Sequence, residues 1–319
     1  MKPHYLNKPI SSISSLAKCL QTTVDELQNL STNADKYFFL ANRVQKEDGS
    51  YRDTYDVRQR LKIIHDKITK NILKKVYYPD YLQGSLAKKD HISNAEIHSG
   101  KKVIIKGDIS NFFPSISKDI IYQIWIEFFN FSKEVAELLS RLTTFNGKMV
   151  QGCKTSSYLA NLVLWSREYK FVNLLKSQGF TYTRYVDDVH VSSERIMHKS
   201  EKTKIISRIY NLFASINVRP NRKKQEIMPR NQQQIVHKLN VDKSTPNMPK
   251  QKRNEIRKLV FICGKAFEDN NITLSEYTKN YNTVMGKVNY LRRLHPKCGN
   301  LLLSNLRSIS PLKRMKIIS

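Results

Sequence analysis

The chain has 319 residues, which suggests one or two folding units, and 40% of them are hydrophobic, enough for a sizeable core. Fifty-five Lys and Arg against 27 Asp and Glu leave a formal net charge of +28, far beyond what solubility needs, and so point to a polyanionic partner, nucleic acid before membrane. No apolar run is long enough to span a bilayer, Met1-Lys-Pro-His-Tyr-Leu does not open a signal peptide, and Cys19, Cys153, Cys263 and Cys298 form no C-x-x-C pair; this argues against a zinc site or disulfide framework and for a reduced, cytoplasmic protein.

Taken in order, residues 11–40 read as helix, with Leu16, Leu20, Val24 and Leu27 at helical spacing and Thr23 placed to cap a second helix three residues before Glu26. Lys46 to Tyr55 reads as a hairpin with a Gly turn, and 58–75 as a helix with Leu61, Ile64, Ile68 and Ile72 on one face. Val103 to Pro114 is an apolar strand that ends in Asp108, followed by the pair Phe112-Phe113. Helices are expected over 117–142 and from Leu159 to about Lys176, with Gly179 ending the latter. A further helix runs through Ile205, Ile209, Leu212 and Phe213. Ser244-Thr-Pro-Asn-Met-Pro249 is the clearest linker. Beyond it the chain reads as helical and basic, with fifteen Lys or Arg against four acids and an apolar face of Tyr277, Tyr281, Val284, Val288 and Leu291.

The chemistry concentrates at Thr181-Tyr-Thr-Arg-Tyr-Val-Asp-Asp-Val-His-Val-Ser-Ser193. β-branched and aromatic residues flank one acidic pair, so two strands with Asp187-Asp188 at the turn are expected. Adjacent carboxylates at a hairpin tip repel each other unless a cation sits there, and a divalent metal supplies that charge. Asp108 at another strand end gives a third carboxylate. Three such groups can clamp two ions for phosphoryl transfer.

Tyr185-Val-Asp-Asp188 and Asp108-Ile-Ser-Asn-Phe-Phe-Pro-Ser-Ile116 resemble the catalytic boxes of reverse transcriptases, and further boxes follow in the family's order, most like the bacterial retron enzymes. The resemblance implies an α/β (α+β) right-hand polymerase: N-terminal helices and fingers over 1–102, a palm with interleaved fingers elements over 103–243, and a helical thumb over 244–319. It implies two Mg²⁺ at Asp108, Ile109, Asp187 and Asp188. Lys224, in Asn221-Arg-Lys-Lys-Gln225, matches the lysine that attends leaving pyrophosphate. Arg52, Phe113, Gln151 and Gly152 are the implied nucleotide-binding positions, with Arg52 on the triphosphate and Phe113 gating the sugar. Gly152, in Gln151-Gly-Cys-Lys-Thr-Ser-Ser157, would let backbone come close to template or nucleotide. Asn94-Ala95 with His98 matches a retron insertion whose polar groups read RNA or fix a loop. Lys287, Arg292 and Arg293 lie at the margin of the thumb helix, where RNA would be met.

By the same resemblance the template is a structured non-coding RNA and the substrates are deoxynucleotides. The product is a branched RNA–DNA hybrid (msDNA), and an effector protein of a phage-defence system is the expected partner. Val236-His-Lys-Leu-Asn-Val241 stands where a primer-grip hairpin belongs, but carries His237-Lys238 where retron enzymes usually have Thr-Gly. That departure leaves open another bacterial reverse transcriptase, of abortive-infection or diversity-generating type. A non-catalytic RNA-binding protein on a polymerase scaffold is the remaining alternative.

Overall fold

The computed structural model describes residues 1–46, 49–269 and 271–318. Glu47 and Asp48 of the expected Gly-turn hairpin, and Asn270 and Ser319 of the basic C-terminal segment, lie outside the described residues. The chain divides into two compact units, 1–94 with 102–228, and 95–101 with 229–319.

The first unit is built on a four-stranded sheet, in the order Phe180–Tyr185, Asp188–Ser193, Val103–Asp108, Glu226–Pro229. The first three pair antiparallel, with Tyr185 and Asp108 both opposite Asp188. The two central strands are buried on both faces, so they read as near-continuous apolar runs rather than alternating ones. The Lys199–Ala214 helix covers one face, where Ile209 lies so close to Gly107 that a Cβ there would stand 3.2 Å from its Cγ2.

Helices pack around this sheet. Thr23 caps the Val24–Thr32 helix by accepting from the Glu26 amide at 3.2 Å, as the spacing predicts. The helix expected to 40 stops earlier: Phe38–Gln45 is a strand paired with Tyr51–Val57. Helical periodicity ends at Leu30, and Phe38 opposite Val57 supplies a cross-strand apolar pair instead. The expected 58–75 helix runs over Gln59–Asn71, then tightens to a 3₁₀ turn at Leu73–Lys75. The 117–142 helix is interrupted. It runs as Lys118–Gln123, a π-helical turn at Ile124–Phe128 and a fresh helix at Lys133–Thr143 capped by Ser132. Asn130, at φ 55°, breaks the path between them, and Trp125, Phe129 and Phe131 form an aromatic cluster at the break. The expected Leu159–Lys176 helix is two, Lys154–Leu162 and Glu168–Ser177.

The second unit holds a small hairpin, Ile235–Val236 with Leu239–Asn240. Its two turn residues, His237 and Lys238, both have positive φ, 50° and 65°, the requirement of a two-residue hairpin turn. The helices Lys250–Glu268, Leu274–Leu294, Pro296–Ser308 and Pro311–Ile318 follow. Tyr277, Tyr281, Val284, Val288 and Leu291 are all buried among them, the face read from the sequence. Gly299 touches Arg292 so closely that a Cβ there would overlap the Arg292 backbone, so the two helices cross on it.

Candidate active site

Asp108 ends its strand, 4% exposed, and Asp188 stands opposite it in register. Val186 and Asp187 make the turn, so Asp188 opens the second strand rather than closing the turn. Three carboxylates thus gather at one sheet edge. Burial, then Asp108, pushes the Asp187 carboxyl above its usual range. Asp188 goes up to about 7, by burial first and by Asp187 next, with Lys106 and Lys224 opposing. Both residues are partly buried, and both shifts follow from carboxylates drawn out of water beside other carboxylates.

Asp108 has partners that hold it in place. Asn221 donates from its backbone N–H to the Asp108 carbonyl at 2.8 Å and from Nδ2 to Oδ2 at 3.0 Å. Lys224 Nζ lies 3.3 Å from the same Oδ2 with a side chain 56% exposed. The 219–221 segment brings both there by running alongside 108–110: Ser110 N–H donates to the Arg219 carbonyl, and buried Ile109 bridges Pro220. No group of three or more His, Cys, Asp or Glu side chains is drawn together in metal-holding geometry among the described residues; Asp108 faces Lys224 and Asn221 instead. The donor set nevertheless suits a divalent cation, since all three groups are hard oxygen donors and two of them are raised, by burial first and by a neighbouring carboxylate next.

Around this edge the expected residues divide. Arg52 is exposed on the Tyr51–Val57 strand, and its charge lowers the Asp187 pKa against the burial. Phe113 is half-buried and Phe112 buried, edge to face with ring centroids 5.5 Å apart. They sit in a short helical turn, Phe112–Ser115, entered through Asn111 at φ 47°, not on a strand. Gln151 and Gly152 contact the Phe38–Val57 hairpin. The Gln151 carbonyl accepts from the Tyr55 N–H at 2.7 Å, and Gly152, at φ 115°, leaves no room for a Cβ against the Tyr55 carbonyl. The close approach expected there of template or nucleotide is thus made by the protein's own backbone.

One expectation is corrected. Asn94 and His98 are fully buried, at 0% exposure, so neither side chain reaches RNA; of the two roles read for them, fixing a loop is the one the burial allows. Burial, with His237 and Lys101 nearby, pushes the His98 imidazole down to about 3, so it is neutral. Lys287 is half-buried at the helix margin, with its Nζ 3.7 Å from Glu255. Arg292 and Arg293 are exposed as expected. Sequence reasoning gave no role to Lys106, whose charge opposes the rise at Asp188. Its signal was available: it stands two residues before Asp108 on one strand, hence on the same face.

Asp108 and Asp188 thus stand in register at one end of the sheet with Asp187 beside them, Lys224 on Asp108, and Arg52 near enough for its charge to act on Asp187. The family of reverse transcriptases (RNA-dependent DNA polymerases) matches residues 44–255. The retron Se72 reverse transcriptase of Salmonella heidelberg (strain 579083-10) is 34% identical, over 97% of this chain and 81% of its own. The retron Ec48 reverse transcriptase of Escherichia coli is 31% identical, over 96% and 78%. Among solved structures, a foamy viral protease-reverse transcriptase in complex with double-stranded DNA aligns with 92% of this chain and 46% of its own, at 17% identity and a TM-score of 0.39. The chain belongs to the reverse transcriptases, and among them to the retron type. It is an RNA-directed DNA polymerase; such enzymes take an RNA template and depend on a divalent metal. No helix among the described residues is long and apolar enough to cross a membrane, and all four cysteines are free thiols.

Proposed function

We propose that this polymerase copies a structured non-coding RNA into single-stranded DNA, starting from a 2′-hydroxyl within that RNA, so that a branched RNA–DNA hybrid results. In the cell it would act in the cytoplasm, in antiphage defence beside an effector protein. The observation that carries the chemistry is the sheet edge where Asp108 and Asp188 stand in register beside Asp187, with Lys224 3.3 Å from Asp108. Membership of the retron type supports the choice of RNA. Two Mg²⁺ held by Asp108, the Ile109 backbone, Asp187 and Asp188 would supply the positive charge that lowers the 3′-oxygen's proton affinity and screens the pyrophosphate.

The chain's own groups do the rest. Lys224 is exposed enough to leave Asp108 for a phosphate oxygen of the leaving group and to give it charge or a proton. Arg52 forks onto the triphosphate. Phe113 packs under the sugar, and Phe112 holds it from the core side. In this reading 1–102 form the N-terminal helices and fingers, 103–243 the palm, and 244–319 the thumb.

The test is Asp187→Asn. Loss of one ligand removes about 4 kcal/mol of transition-state stabilisation, roughly a thousandfold in rate. RNA binding, which comes from distributed positive charge, stays near wild type. Extension of a primed RNA by Asp187→Asn at near wild-type rate sinks the assignment. Sequencing the nucleic acid that co-purifies with the protein tests the product: a covalent RNA–DNA hybrid supports the retron reading, and DNA on a free primer end overturns it.

A further inference from the structure

Arg184 immediately precedes the Tyr185–Asp188 box, and its side chain is completely buried, as is that of Glu168 to within 1%. A buried guanidinium is tolerated only when its charge is paired and its donors are used. Here all five are. Nε donates to Glu168 Oε1 at 2.6 Å and Nη2 to Oε2 at 2.8 Å, a bidentate fork. Nη2 also donates to the Asn161 carbonyl at 2.9 Å, and Nη1 to the carbonyls of Ala160 at 3.1 Å and Val186 at 3.0 Å. The Tyr182 hydroxyl donates to Glu168 Oε1 at 2.7 Å and so fixes the carboxylate's plane.

The Val186 bond is the informative one. Val186 is the turn residue between Tyr185 and Asp187, and its φ is 60°. A β-branched side chain is strained there and stays only where its surroundings over-determine it. Those surroundings come from two sides. Arg184 holds the Val186 carbonyl. Gly84 closes on its amide, where a Cβ would stand 2.6 Å from the Val186 nitrogen and 2.5 Å from its Cγ2. Asn161, whose carbonyl Arg184 binds, donates from Nδ2 to the Gly84 carbonyl at 2.8 Å. The guanidinium, the end of the Lys154–Leu162 helix and Gly84 thus form one clamp on the turn.

We propose that Arg184, with Glu168 behind it, is a positioning pair for the polymerase reaction. It locks Val186 in the left-handed conformation and so fixes the turn that carries Asp187 and starts the strand on which Asp188 stands opposite Asp108, against the repulsion among the three carboxylates. The inference rests on reading those carboxylates as the metal-holding set. A buried ion pair is poor evidence of stability, since apolar residues of like volume often serve as well. The clamp gives this one a reason to be polar.

The experiment uses the full-length protein and three readouts besides thermal unfolding. These are Mn²⁺ binding by electron paramagnetic resonance without nucleotide, amide exchange of the peptide spanning 181–193, and the kcat and KM of primed-RNA extension. Arg184→Lys keeps a charge for Glu168 but lacks the fork that also reaches Val186. It should weaken Mn²⁺ binding and lower kcat by about ten- to a hundredfold, and speed exchange at the turn, while KM for template–primer stays within about twofold, because binding is spread over many phosphates. Gly84→Ala, which pushes on Val186 from the other side, should give the same signature, and it replaces Arg184→Lys if that variant does not fold. A lower melting temperature with Mn²⁺ binding, turn exchange and kcat unchanged overturns the proposal and leaves the pair merely structural. Asp188→Asn separates the two readings. If it loses Mn²⁺ while the clamp variants do not, only the positioning inference fails; if it binds Mn²⁺ as wild type does, the carboxylate assignment itself fails.

Discussion

Phe112 and Phe113 are neighbours of identical chemistry, yet the fold places them differently: one is 3% exposed in the core, and the other is half-buried against it. Phe113→Ala should therefore raise ribonucleotide incorporation relative to deoxynucleotide incorporation, read as the ratio of kcat/KM for the two sugars, with unfolding little changed. Phe112→Ala should instead cost about 3 to 5 kcal/mol of stability as a core truncation. An unchanged sugar ratio in Phe113→Ala removes it as the gate. The difference between the rings was visible in the sequence only as a choice between two adjacent positions. It is decided by Asn111, whose left-handed backbone starts a helical turn and rotates one ring inward. The acids were legible for a simpler reason. A strand pattern on either side of Asp187-Asp188 puts the pair at the junction of two strands, although the turn itself is Val186-Asp187 and Asp188 already belongs to the second strand. Arg184 was not legible, because a lone arginine in a strand reads as exposed, and its acceptors come from segments that meet it only after folding. Asn94 and His98 misled in the same way: polar side chains that looked available for RNA are enclosed.

Elements were read best where one face is apolar and one is wet. The Gln59–Asn71 helix buries Leu61, Ile64 and Ile68 as its spacing requires, but it also buries His65. That imidazole lies edge-on to Phe38, and its Nε2 stands 2.7 Å from the Leu142 carbonyl, tying this helix to Lys133–Thr143. Facing a carbonyl, Nε2 must carry the proton. Burial pushes His65 down to about 4, against the weaker pull of that hydrogen bond and of Asp66 and Asp56. The unfolded chain binds a proton near pH 6.5, and the folded one only near 4. The unfolded state therefore takes up more protons between those values, and stability falls as pH drops through that window. Between pH 7 and pH 5 the loss from this group is about 2 kcal/mol. His65→Leu should unfold more easily at pH 7, for want of the hydrogen bond, but lose less stability on going to pH 5. Urea midpoints of both proteins at the two pH values check it, and parallel losses in the two would show that His65 titrates normally. The interrupted helices were not legible, since Ile124, Phe128, Val135 and Leu138 keep an apolar face across the break. Only the left-handed Asn130 and the Ser132 cap divide them.

At the scale of the whole molecule the net charge of +28 is the plainest statement the sequence makes. Composition foresaw a polyanion, and membership of the reverse transcriptases makes it nucleic acid. Composition does not say which phosphates each cation meets, because phosphate contacts position nucleic acid without reading it. The structure narrows the candidates on the Leu274–Leu294 helix. Its apolar face is spent on the second unit's own core, Lys287 is 3.7 Å from Glu255, and Arg292 and Arg293 remain exposed in the last turn. Gly299 packs on the Arg292 backbone, which fixes where that turn sits while leaving its side chain outward. Arg292→Ala with Arg293→Ala should therefore leave the helix core intact and weaken binding of the matching RNA. The slope of log affinity against log salt should flatten by about one unit for each phosphate that the protein no longer neutralises. Lys287→Ala should change that slope far less, because its charge is already partly answered by Glu255. Extension on a plain primed template is the control and should persist. If the double variant keeps both the affinity and the slope of wild type, these arginines touch no phosphate and the thumb assignment loses its RNA-facing end. If affinity falls equally for matched and mismatched RNA, they grip the backbone, and the choice of RNA is made by other groups.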